Sequence, residues 1–264
     1  MENKFKNLLT STTLIPLWAK AVESVSEDPI LKDKYALELL QKLGYDLNYY
    51  NKKKQNPSQV GCCLRAKWID DETLKFIHEH KNCNVIQLGA GFDDRFRRIG
   101  MPKAVNHWYD LDLPEVAKLR RQVIPEVERN KIIAMDMFDT TWMKRLHDEG
   151  LPVLIIVEGV FMFIHKKEIA QLMSSISHYL TGAVLLMDSI PPMAVGKAKY
   201  HDAVKKYNDK VEYVFGVKDG KQMAEFFPEV EEIETVFMSD LCAGRRQEKQ
   251  ASPPLPLDLH VLSL

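Results

Sequence analysis

At five places in this chain a short apolar run ends in a carboxylate or a glycine turn. They read Gly89-Ala90-Gly91, Asp110-Leu111-Asp112, Asp136-Met137, Glu158-Gly159 and Asp188-Ser189. The carboxyl ends of strands in an open parallel sheet are where ligands bind. A turn built on Gly89 and Gly91 lets backbone approach a ligand closely, because no Cβ stands in the way. Asp110 and Asp112 follow about 20 residues later, a distance that suits a carboxylate accepting hydrogen bonds from ribose hydroxyls. An acid in such a loop also serves as a helix N-cap. Asp188 is read that way, while Asp112 and Asp136 suit either role.

The third glycine of a dinucleotide fingerprint falls on Asp94, a carboxylate where a pyrophosphate would approach. That conflict disfavours NAD. A phosphate-free cofactor with a ribose and a cationic amino group, such as S-adenosylmethionine, has no such conflict.

These residues need a sheet to hold them. From Cys83 onward the pattern alternates strand and helix, with strands at 83–88, 104–109, 131–135, 153–157 and 183–187. That alternation predicts a parallel sheet covered by helices on both faces. Val230 to Met238 alternates like a further strand, and Leu257 to Leu262 supplies another. With no helix expected between them, these two read as an antiparallel hairpin with a long connection. The fold expected is α/β, a Rossmann-like sheet whose last strand inserts antiparallel beside the fifth. Residues 1–80 read as a helical cap: helices at Leu14–Val25 and Asp33–Leu43, a polar loop at Tyr45–Gln59, and a helix from Cys62 to Glu79. Residues 81–264 form the core, and about 190–228 an inserted substrate lid in which Ala194–Tyr207 is helical.

Composition excludes several functions. A net charge of −1 gives no global field to draw nucleic acid or an anionic membrane. The basic clusters at Lys52–Lys54, Lys118 with Arg120-Arg121, and Arg245-Arg246 are short and read as solvated surface. The four cysteines, Cys62, Cys63, Cys83 and Cys242, have no spacing that suits zinc and read as reduced thiols. No apolar run approaches the ~20 residues that span a bilayer. The expectation is a cytoplasmic protein with no metal and no membrane or nucleic-acid partner.

Three stretches in order carry a family resemblance: Val85 to Phe96 (VIQLGAGFDDRF), Tyr109 to Val116 (YDLDLPEV) and Glu158 to Phe163 (EGVFMF). They resemble the leucine carboxyl methyltransferase family, which includes protein phosphatase methyltransferases and bacterial polyketide O-methyltransferases of the tetracenomycin type. Asp94 stands where the family pattern LGAGxDT has threonine. The resemblance implies S-adenosylmethionine as cofactor, with Arg65 on its carboxylate, Gly89 beside its methionine moiety and Asp112 on its ribose. It further implies Asp136 and Met137 at the adenine, and Glu158 near the ammonium. On helical pattern alone Arg65 reads as a surface arginine.

The reaction expected is methyl transfer to a carboxyl or hydroxyl of a small molecule. Alternatives are a protein C-terminal carboxyl and a non-catalytic regulator that only binds the cofactor. Displacement at a sulfonium needs alignment and a dry site. A carboxylate acceptor, with a reference pKa near ~4, is ionised at neutral pH and needs no base. His165 and His201 are read as surface histidines, so no general base is assigned. Tyr200, Tyr207, Tyr213 and Phe215 are candidates for the substrate wall, though such a stripe is more often core.

Overall fold

The computed structural model describes residues 12–47, 57–200, 211–246 and 257–264. Three helices come first: α1 (Leu14–Ser24), α2 (Lys34–Lys42) and α3 (Pro57–Glu79). Asp33 caps α2 by accepting from the Ala36 amide at 2.9 Å. α3 starts earlier than its apolar pattern suggests, because Pro57 is suited to a first helical turn and the polar Ser58-Gln59 pair follows it inside the helix. α1 buries almost its whole circumference, including Lys20 and Glu23. With α2, α3, Phe92 and Ile124 it builds its own apolar cluster against the sheet.

The sheet has seven strands in the order β3-β2-β1-β4-β5-β7-β6. They are β1 (Cys83–Leu88), β2 (Val105–Asp112), β3 (Asn130–Ala134), β4 (Val153–Val157), β5 (Val184–Ser189), β6 (Glu231–Phe237) and β7 (Asp258–Ser263). Between them lie α4 (Arg95–Arg98), α5 (Pro114–Val123), α6 (Thr141–Glu149), α7 (Lys166–Tyr179), α8 (Gly220–Phe226) and α9 (Met238–Arg246). Strands β1 to β5 pair in parallel, while β7 runs antiparallel between β5 and β6. One face packs on α6, α7 and α8 around Trp142, Met173 and Phe227, and the other packs on α3 and α9 around Ile69, Phe96 and Met238. Both faces of the central strands are covered, so β1 and β4 are buried along their whole length and β4 reads as an unbroken apolar run.

Three expectations change. A helix, α9, does lie between the last two strands. β2 continues through Asp112, which pairs with Ala134 of β3, so both acids belong to the strand rather than to a loop after it. Ala194–Tyr207 is not one helix: among its described residues there are two 3-10 turns, Pro192–Ala194 and Ala198–Tyr200, and 201–207 lie outside the description. Gly196, at φ +74°, interrupts it, and its amide donates to the Tyr213 carbonyl at 2.8 Å.

The β5–β7–β6 seam holds a buried polar chain. His260 Nε2 meets Ser189 Oγ at 2.7 Å, and its Nδ1 meets Thr235 Oγ1 at 2.9 Å. Burial lowers the His260 pKa to about 4, so the imidazole stays neutral in the fold. As the folded pKa lies below the unfolded value, His260 contributes full stability above about pH 6.5 and loses it as pH falls towards 4, roughly 3 kcal/mol in all. Asp258, raised by burial to about 6, has the opposite slope. The His260 contribution therefore shows as a difference between proteins. Urea-unfolding series for wild type and His260→Gln should diverge between pH 6.5 and 4, with the variant losing less stability. Parallel curves would refute the assignment.

Candidate functional site

At the carboxyl ends of β1, β2, β4 and β5 lies a cavity of about 420 Å³. Arg65, Gly89, Gly91, Asp112, Asp136, Met137 and Glu158, scattered over the sequence, all stand in its wall. The turn after β1 carries Gly89 and Gly91 at φ +68° and +52°. Their missing side chains make room for protein: a Cβ on Gly89 would sit 2.6 Å from Val160 Cγ2, and one on Gly91 3.3 Å from Thr13. The close approach expected of a ligand is thus also an approach by the N-terminal segment.

Asp112 does not cap α5. Leu113 holds the N-cap position, and Pro114 at the first helical residues removes a donor. Instead Asp112 Oδ2 accepts from the Gly91 amide at 2.7 Å and Oδ1 from the Leu113 amide at 2.8 Å. Burial pushes its carboxyl up, opposed by those two amides and Arg120. Each oxygen keeps a lone pair for a ligand hydroxyl. Asp136 is exposed at the rim, where its Oδ1 accepts from the Phe138 amide at 3.1 Å in a local turn rather than a helix cap.

The opposite end of the cavity is ionic. Arg65 is buried, not on the surface, because α3 turns that face onto the sheet. Its Nε donates to Glu158 at 3.0 Å and its Nη1 to Asp188 at 2.8 Å. Glu158 also accepts from Arg95, which in turn holds Asp70 at 2.7 Å. Burial alone would raise Glu158, but Arg65, Arg95 and Lys20 together hold its carboxyl at about 2. Asp188 is likewise not a helix cap: it lies inside β5 and accepts from the Gly159 amide at 2.6 Å.

Sequence reading missed two cations. Lys20 lines the cavity and reaches Asp93 at 2.5 Å while only 2% exposed. A lone lysine within Leu14–Val22 was the available signal, since a charge in a buried apolar run needs a partner. Arg120, read as solvated surface, is fully buried; it donates to the Gly91 carbonyl at 2.8 Å and to Asp110 at 2.6 Å, and so fixes the glycine turn. The clusters at Lys52–Lys54 and Arg245-Arg246 lie outside the residues whose side chains are described.

Asp94 is not the residue that disfavours a dinucleotide. Asp94 pairs with Arg97 and is absent from the cavity wall, whereas Asp93 is in it. The helix that follows spans only four residues, and Arg95 and Arg98 on it are committed to carboxylates. It has little to offer a pyrophosphate.

Most of the remaining wall is apolar, with Ile15, Leu17, Met162, Phe163, Ile190 and Tyr213 among others. Tyr213 is in the wall, Phe215 is in the sheet core, and Tyr200 is 74% exposed. Tyr207 and His201 lie outside the described residues, and His165 is an exposed N-cap of α7. Among the described residues no group of His, Cys, Asp or Glu is placed to hold a metal ion, and no helix is long and apolar enough to cross a membrane.

Comparison with known proteins gives this geometry a family. The model of the leucine carboxyl methyltransferase family matches residues 13–177. The tetracenomycin polyketide synthesis O-methyltransferase TcmP of Streptomyces glaucescens is 25% identical over 194 residues, which is 74% of this chain and 70% of that protein. The S-adenosyl-L-methionine-dependent methyltransferase dpfgK of Gibberella zeae is 26% identical over 179 residues, 64% of this chain and 60% of that one. The fold matches the magnesium protoporphyrin IX methyltransferase of Synechocystis PCC 6803, solved with bound SAH, at a TM-score of 0.50 and 10% identity, over 81% of this chain and 90% of that one. The chain belongs to the leucine carboxyl methyltransferase family and is an S-adenosylmethionine-dependent methyltransferase with a Rossmann-like sheet.

Proposed function

We propose that this enzyme methylates a carboxyl or hydroxyl oxygen of a small, largely apolar metabolite of polyketide type. The observation that carries this reading is the polarity of a single cavity. One end holds an ionised Arg65–Glu158 pair, the other holds Asp112 and Asp136, and apolar side chains make up much of the rest of the wall. A zwitterionic amino acid joined to a nucleoside matches those two ends in order. The name of the relative TcmP supports the polyketide class.

The donor set fits the cofactor. Asp112 would take the ribose hydroxyls, since both its oxygens are already oriented by backbone amides. Asp136 would take the adenine amine with Met137 against the ring. Arg65 and Lys20 would take the carboxylate, Lys20 having two ammonium protons beyond the one on Asp93. Glu158, held ionised, would take the ammonium. When bound, the cofactor supplies an electrophilic methyl on a sulfonium. The protein aligns the acceptor and excludes water through Ile15, Met162, Phe163, Ile190 and Tyr213. Residues 1–80 then serve as a cap and 190–228 as the acceptor's lid.

The test is transfer of labelled methyl to a panel of aromatic phenols and carboxylic acids. Label is expected in an extractable small product; its loss in alkali marks an ester, its retention an ether. Cofactor binding with no label on any small acceptor would overturn the proposal. Label on the terminal carboxyl of a protein would replace it with protein modification.

A further inference from the structure

Asp188 lies outside the cavity wall, yet both groups it holds are in that wall. Its side chain is fully shielded from water. One oxygen accepts from Arg65 Nη1 at 2.8 Å and the other from the Gly159 amide at 2.6 Å. Its backbone is locked by pairing with Leu259 of β7. Arg65 comes from α3, far away in sequence, so one corner of its guanidinium is fixed from the sheet. Glu158 fixes a second corner, at Nε. The third, Nη2, makes no hydrogen bond among the described residues and lies against Gly159: a Cβ there would sit 3.2 Å from Nη2. Gly159 is thus the residue that lets the fork lie flat on the turn, and Asp188 ties turn and fork together.

We infer that Asp188 is the positioning residue for the amino-acid end of the cofactor, acting through Arg65. The inference rests on the reading that Arg65 receives the cofactor's carboxylate. Without the Asp188 charge, the guanidinium's nearest carboxylate is Glu158, and the fork closes onto it in the bidentate geometry such pairs favour. That removes two partners at once: Arg65 turns from the cofactor carboxylate, and Glu158 loses the lone pairs meant for the ammonium. Ribose and adenine contacts, at the far end of the cavity, stay as they are.

Two ligands separate these ends. S-adenosylhomocysteine carries the amino-acid moiety, and methylthioadenosine has the nucleoside and sulfur without it. By calorimetry, Asp188→Asn is expected to bind S-adenosylhomocysteine about tenfold more weakly, the scale of one charge-assisted hydrogen bond. Its affinity for methylthioadenosine is expected to be unchanged, which also reports an intact fold. In turnover, KM for the methyl donor rises and kcat holds. In an Arg65→Gln background, Asp188→Asn should cost nothing further. Should Asp188→Asn fail to fold, Asp188→Glu displaces the fork while keeping its charge and is expected to show the same selective loss. Equal losses for both ligands, or additive losses in the double variant, would overturn the role. Undiminished S-adenosylhomocysteine binding by Arg65→Gln would sink the reading of Arg65 and the Asp188 role with it. A weakened Arg65→Gln beside an unaffected Asp188→Asn would sink the Asp188 role alone.

Discussion

Replacing Arg98 by alanine is expected to lower stability by about 3–5 kcal/mol, the cost of breaking a buried ion pair from one side. Arg98 is 2% exposed and serves three carboxylates. Its Nη1 meets Asp33 at 2.8 Å and Asp93 at 2.6 Å, and its Nε meets Asp70 at 2.8 Å. Asp33 caps α2, Asp70 lies on α3 and Asp93 follows the glycine turn. One side chain therefore fastens two N-terminal helices to the carboxyl end of the central strand. Burial opposes its charge, but the three acids hold its pKa well above the ordinary arginine value, so the guanidinium stays charged throughout the accessible range. Alanine would leave Asp33 without an ionic partner among the described residues, and Asp70 and Asp93 with Arg95 and Lys20 as their remaining cations there. The measurement is the urea midpoint at neutral pH. Lysine is expected to recover little, because a single ammonium cannot span the geometry of a fork. An unchanged midpoint for Arg98→Ala would show that these carboxylates are hydrated and that the network does not bind the helices to the sheet.

That network also marks where sequence stops being informative. The strands and their acidic ends are legible because an apolar run ended by a carboxylate has few physical explanations: the charge needs water, a ligand or a cation. Glu158 after Val153–Val157 is the clearest case. Its partners are not legible. Arg65 and Arg95 approach from a helix before the sheet and from the start of α4, and neither spacing announces Glu158. Arg65 and Asp188 stand 123 residues apart and become neighbours only when α3 docks beside the ends of β4 and β5. Arg120 misled for a related reason. Lys118, Arg120 and Arg121 read as one basic cluster, but on a helix consecutive side chains face different ways, and Arg120 alone points at the β2 acid. The helix boundaries that moved, at Pro57 and around Gly196, moved where a proline or glycine overrides the apolar period.

Asp112→Ala is the second large effect expected, this time on ligand affinity. Its carboxylate does two jobs with four lone-pair positions. Two accept the Gly91 and Leu113 amides, which fixes the glycine turn against β2, and two remain for hydroxyls from the cavity. Arg120 reinforces the same turn from the other side through the Gly91 carbonyl, so the turn survives loss of one hold. With the ribose seated on Asp112 as proposed, alanine removes two charge-assisted bonds, each worth about 1.5–3 kcal/mol, so S-adenosylhomocysteine should bind at least about 100-fold more weakly. Asp112→Asn should fall between: an amide oxygen still accepts, but without charge, and its NH2 faces a donor. Because burial raises the Asp112 carboxyl, affinity should also fall as pH drops towards its titration, and the alanine variant should lose that pH dependence. The melting temperature is the control, since Arg120 holds the turn in both proteins. Affinity equal to wild type in Asp112→Ala would place the ribose elsewhere and break the match between the cavity's two ends and the two ends of the cofactor.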